Sequence, residues 1–145
     1  MSRDPLIVLS EIQSAAMEIL EFTNGMTKSA FLKNRMANKA VIRDLEIIGE
    51  ASKSVPQPIR DAYPNIPWKN VCGLRDVLIH EYFRVDLDQV WLIIEKRMPA
   101  FLVDITSIID SMPQAPLFPT GEKDAAADDR SDDGLSDDLP KGPHR

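Results

Sequence analysis

Apolar positions recur along most of this chain at alternating steps of three and four. In residues 5–22 they fall at Leu9, Ile12, Ala16 and Ile19, one face of a helix, and Asn24-Gly25 ends the pattern. A second helical region covers 28–54, with Ala37, Val41, Leu45 and Ile48 on one face; its first turns, KSAFLKN, can form a short helix of their own. VPQPIRDAYPNIPW holds four prolines and is expected to be a connection with at most one helical turn. Pro67 suits the first position of a further helix over 67–81, with Asn65 as its cap candidate. The clearest pattern lies in 87–110, where Leu87, Trp91, Ile94, Met98, Phe101, Ile105 and Ile108 form a seam for a bundle or a coiled partner. Pro99 falls inside that seam and is expected to bend the helix. No segment alternates with the period of a strand, so the pattern predicts an all-α fold, an antiparallel four- to five-helix bundle.

The pattern stops at residue 113. Residues 113–145 carry five prolines, three glycines, repeated Asp pairs and few large apolar side chains. That composition predicts a disordered acidic tail after a helical domain over 1–112. The tail serves either solubility or, more specifically, as an autoinhibitory mimic of nucleic-acid charge. It also changes the meaning of the net charge of −6. Eight acidic and four basic residues lie from Pro113 onward, which leaves the first 112 residues close to neutral at −2. The global charge therefore does not exclude a local basic cleft that binds phosphates.

With 145 residues and 43% apolar content the chain can build one domain with a real core. No apolar run is long enough to span a membrane, and the N-terminus MSRDPLIVLSEIQ lacks the basic start of a signal peptide. The single cysteine, Cys72, excludes an intrachain disulfide framework and reads as a small buried hydrophobe. Together these lead to an expectation of a cytoplasmic protein without membrane association.

Candidate chemistry concentrates in GLRDVLIHEYF, residues 73–83. At 100° per residue Arg75 and Tyr82 share a face, Asp76 and His80 share another, and Arg75 and His80 stand about 140° apart, too far to lie side by side but able to flank a groove. Metal-free RNA cleavage needs a base for the 2′-hydroxyl proton, an acid for the departing 5′ oxygen and a cation on the transition state. Histidine suits the proton transfers near neutral pH, and arginine offers planar donors to phosphate oxygens. Asp76 could hold the second ring N–H of His80. Metal hydrolysis fits poorly, because the chain has two histidines and His144 lies in the tail. The same residue types also fit a salt bridge beside a hydrogen-bonded core histidine, and residue types alone leave both readings open. Gly73 reads as a close contact between helices. Arg43, Glu46 and Glu50 form one ridge, either a solvated face or a support in which Glu46 buttresses the motif helix or lines the cleft.

RDLEIIGEA (43–51), YPNIPW (63–68), GLRDVLIHEYFRVD (73–86) and VW (90–91) occur in an order that resembles the HepT-like branch of the HEPN family. The likeness covers residues 4–110 and none of the tail. It implies a helical bundle, usually a homodimer, that acts as a metal-independent endoribonuclease leaving 2′,3′-cyclic phosphate ends. Arg-x4-His places the catalytic pair on Arg75 and His80, with Asp76 as the polar residue after the arginine; relatives often have asparagine there. The extended motif places a tyrosine on Tyr82. The resemblance further implies the toxin of a type VII-like toxin–antitoxin pair, whose antitoxin, a minimal nucleotidyltransferase, transfers AMP from ATP onto Tyr82. No cofactor or metal is expected. The competing reading is a non-catalytic helical module that binds and regulates a partner nucleotidyltransferase.

Overall fold

A computed structural model describes residues 3–80 and 85–113, without the side chains of Val77, Ile79 and His80. The tail expected to be disordered over 113–145 lies, from residue 114 on, outside the described residues. The elements belong to a compact unit, Met1–Met112, and every regular element described is helical. The all-α bundle expected from the periodicity is the observed fold.

Helix α1 (Pro5–Phe22) starts where Asp4 accepts a hydrogen bond from the Leu6 N–H at 2.9 Å and Pro5 takes the first helical position. It buries Val8, Leu9, Ile12, Ala15, Ala16 and Ile19, and ends before Gly25, whose φ of +75° only glycine adopts freely. The second region is two helices, α2 (Lys28–Lys33) and α3 (Arg35–Ser52). Asn34 makes the break: it ends α2, and its side chain accepts from the Ala37 N–H at 3.0 Å to cap α3. The predicted face Ala37, Val41, Leu45 and Ile48 is buried. α3 is the centre of the bundle, packed against α1 on one side and against the helices that carry the motif on the other.

The proline-rich connection holds α4 (Gln57–Ala62), which exceeds the single turn expected. Pro58 sits in its first turn, where a missing N–H costs nothing. Arg60 of this helix donates to the Val55 and Ser52 carbonyls at 3.0 and 2.8 Å, closing the end of α3. Pro67 precedes the next helix instead of opening it, and Asn65 does not cap it; the Asn65 amide donates to Asp104 Oδ2 at 3.2 Å.

The helix expected over 67–81 is interrupted. α5 (Trp68–Cys72) and α6 (Leu74–His80) are separated by Gly73, whose ψ of −9° falls short of the helical value. Gly73 is therefore a break in the helix and not the close contact expected, since a Cβ there would meet only carbonyls of its own preceding turn, at 3.4 and 3.6 Å. The close contact is at Gly49 of α3. A Cβ there would stand 3.0 Å from the Arg75 backbone nitrogen, 3.2 Å from the Val71 carbonyl oxygen and 3.3 Å from Leu74 Cβ. Gly49→Val is expected to cost about 1–3 kcal/mol, because backbone and not a flexible side chain must give way. Gly73→Ala is expected to be neutral or to gain up to about 1 kcal/mol from helix propensity. Thermal melting of both variants tests the pair, and equal shifts for the two would contradict it. Cys72, expected to be buried, is partly exposed.

The last segment comprises α7 (Leu87–Leu92), a π-helical turn (Ile93–Arg97) and α8 (Met98–Ser111). Pro99 lies in the first turn of α8, so the ladder is disturbed one turn before it. There the Met98 N–H bonds the Ile93 carbonyl, five residues back. The seam packs within this chain: Ile94, Met98, Ile105 and Ile108 are buried, and Leu87, Trp91 and Phe101 are half-buried. α8 returns along α1, joined by a Gln13–Thr106 hydrogen bond of 3.1 Å. Among the described residues no helix is long and apolar enough to cross a membrane.

Asp44 of α3 is 4% exposed, on the side facing α1, and its Oδ2 has no hydrogen-bond partner among the described residues. Burial, and next the neighbouring Glu18 carboxyl, push Asp44 up to about 7; the Arg43 guanidinium acts the other way.

Candidate active site

The site is built where α6 crosses the C-terminal half of α3. Gly49 lets the two backbones approach until the first turn of α6 rests on α3. Apolar contact secures the crossing: Leu78 of α6 and Ile48 of α3 are buried in the common core. Arg75 is left on the open side, with its side chain 44% exposed. A guanidinium on a half-exposed helix face can meet a phosphate without a full desolvation cost.

Four charged side chains bridge the crossing. Arg75 Nη1 donates to Glu50 Oε2 at 2.9 Å, Lys53 Nζ lies 3.5 Å from the same oxygen, and Asp76 Oδ1 lies 3.7 Å from Lys53 Nζ. Charges alternate around this set, so each cation faces a carboxylate. The Arg75 hydrogen bond holds the Glu50 carboxyl below its ordinary range. Glu50 thus positions Arg75, and it also occupies donors that a phosphate oxygen would take.

The ridge expected from Arg43, Glu46 and Glu50 is divided. Arg43 pairs with Glu46 at 3.5 Å, while Glu50 turns to Arg75 and Lys53. Glu50, not singled out as a site residue by the spacing, is the α3 carboxylate that grips the motif helix. Its signal in the sequence was its place next to Gly49, the one residue of that helix without a Cβ. Asp76 and His80 both lie on α6, four residues apart, as the spacing required. The Asp76 carboxylate faces Lys53. The His80 side chain and the whole of Tyr82, on which the catalytic and modification assignments fall, lie outside the described residues.

The profile of the family described as "Ribonuclease HepT-like" matches residues 12–108, from the second half of α1 to within α8. This chain belongs to the HepT-like ribonuclease family. Two Methanocaldococcus jannaschii proteins, each named "Putative RNase", are 41% identical over 107 residues (74% of this chain, 88% of the relative) and 42% over 97 (67% and 89%). A Thermococcus cleftensis protein named "Probable ribonuclease HepT" is 40% identical over 100 residues, covering 69% of this chain and 91% of the relative. No solved structure matches the chain. The HepT-like domain is thus the helical bundle itself, and its Arg75 stands on the α3–α6 crossing.

Proposed function

We propose that this HepT-like chain is a metal-independent endoribonuclease and the toxin of a two-gene pair. The observation that carries the reading is Arg75: half-exposed, held by one carboxylate, and five residues ahead of a histidine on the same short helix. In the proposed step a base, assigned to His80, takes the ribose 2′-hydroxyl proton. The 2′ oxygen attacks phosphorus, the P–O5′ bond breaks, and an acid returns a proton to the departing 5′ oxygen. The products are a 2′,3′-cyclic phosphate and a 5′-hydroxyl. Arg75 moves from Glu50 to the phosphate oxygens as their charge grows. A homodimer with its two motifs facing one cleft supplies base and acid from separate chains.

The off-switch in this reading is Tyr82. Its phenol oxygen attacks the α-phosphorus of ATP in the partner nucleotidyltransferase, forming an O–P bond and releasing pyrophosphate and the phenolic proton. The adduct brings a phosphate and a base close to the motif arginine, neutralising it and filling the cleft.

Protein made with and without the neighbouring nucleotidyltransferase tests both parts. AMP-sized mass steps mapping to Tyr82 are expected only with the partner, and RNA cleavage in EDTA only without it, with cyclic-phosphate ends. Cleavage by neither form, with the proteins still associating, would favour the non-catalytic module. Cleavage that is unaffected by modification would remove Tyr82 as the switch.

A further inference from the structure

The π-helical turn and α8 present one face to α5 and α6, and a pocket of about 410 Å³ lies between them. That volume is in the range of small-molecule sites. Ile48, Ile66, Val71 and Met98 give it a buried apolar floor. Around this floor stand Lys96, Arg97, Asn70 and the half-buried ring of Phe101. Among the described residues Lys96 pairs only with its exposed neighbour Glu95, at 3.7 Å, and Arg97 forms no ion pair. Leu74, the residue before Arg75, lines the same pocket, so it adjoins the motif helix.

The charges in this pocket are sorted. Arg97 and Asp104 are seven residues apart, about 10 Å along a helix axis, so a cationic end and an acidic end are separated by two turns. Asp104 already accepts the Asn65 amide at 3.2 Å through Oδ2, which leaves Oδ1 as an acceptor and Asn65 Oδ1 as another. A ligand that fits has an anionic end, a flat apolar middle and a hydrogen-bond donor at its far edge. One ribonucleotide has that layout over a similar span. We infer that this pocket is a nucleotide subsite for the RNA strand: Lys96 and Arg97 take a phosphate, the base lies on the apolar floor beside Phe101, and Asn65 and Asp104 read its edge. The inference rests on the ribonuclease reading for the identity of the strand. It adds a role for Asp104, which accepts an N–H at the base edge, from the exocyclic amino group of cytosine, adenine or guanine or from the ring N3–H of uracil.

Short single-stranded 2′-O-methyl RNA is the probe, since it has no free 2′-hydroxyl to attack and reports binding without cleavage. Ala100→Trp fills the pocket from an exposed position without changing charge. It is expected to weaken binding of a cytosine-rich oligomer at least about tenfold. Lys96→Ala/Arg97→Ala is expected to do the same and to lower the slope of log affinity against log salt by roughly 0.7 per lost phosphate contact. Lys39→Ala, away from the pocket on α3, serves as the surface-charge control. Asp104→Ala is expected to weaken binding of cytosine- and uracil-rich oligomers alike, at least about threefold. With natural RNA, Ala100→Trp raises KM and leaves kcat within a few-fold. Circular dichroism of each variant confirms the fold. If Ala100→Trp leaves binding within twofold of the parent, the subsite is wrong, even where the double variant binds less. Loss of nucleotidyltransferase association in Ala100→Trp, with RNA binding intact, would make the pocket a protein-docking site and also overturn it. If the parent binds the probe through the pocket but cleaves no RNA, the ribonuclease reading fails and the subsite stands.

Discussion

Arg75→Ala is expected to lower RNA cleavage by roughly 10²–10⁴ while leaving the fold intact. The rate loss follows from the proposed role: a fixed cation aimed at the phosphate oxygens would stabilise charge that develops only in the transition state, so its removal would be felt mainly in kcat. The fold survives because the Arg75–Glu50 pair is exposed on both sides, and exposed ion pairs contribute little to stability. His80→Ala is expected to cost a similar factor through proton transfer. Arg75→Lys separates charge from geometry: it keeps the cation but loses the two-pronged donor, so an intermediate loss is expected. Initial rates on a defined RNA, with melting curves as the folding control, decide the matter. Less than tenfold loss in both alanine variants would remove these residues from the reaction.

Asp44→Asn is expected to change how stability depends on pH. The Asp44 carboxyl titrates near 7 in the folded chain and near 4 when unfolded. Between these values the folded state holds a proton that the unfolded state has released, so stability falls as pH rises from about 4 to about 7 and then levels off. Asparagine carries no charge to bury, and its amide can donate to Glu18. The variant is expected to match the parent near pH 4.5 and to melt roughly 10 °C higher at pH 8. Parallel curves for the two proteins across that range would show that Asp44 does not carry the penalty.

The sequence made some of this legible and hid the rest for physical reasons. The bounds of α1 and the buried face of α3 follow from unbroken periodicity and from side chains that satisfy the terminal N–H groups. Gly73 was harder, because a glycine inside a helical pattern can be a packing contact or a break, and only the tertiary neighbour decides which. The π turn left no trace in the spacing: one extra residue changes the backbone bonding but still reads as a step of three or four. The Arg75–Glu50 pair joins residues 25 apart, and no local pattern encodes such a meeting. Asp44 was visible in principle, as an acid three residues after Val41 and next to Leu45 on the face that reads as core.

The crossing at Gly49 has a consequence for how this protein tolerates change. Most core positions in a helical bundle accept any side chain of similar volume and greasiness, since neighbours can repack. The spacing between α3 and α6 has no such slack, because hydrogen atoms on one α-carbon set it. Homologous chains are therefore free to exchange Ile48 or Leu78 for other aliphatic residues, yet a single added carbon at residue 49 shifts the anchor of the arginine. Drift in this family should then show up as a patchwork of hydrophobic exchanges surrounding one position where only the smallest residue persists.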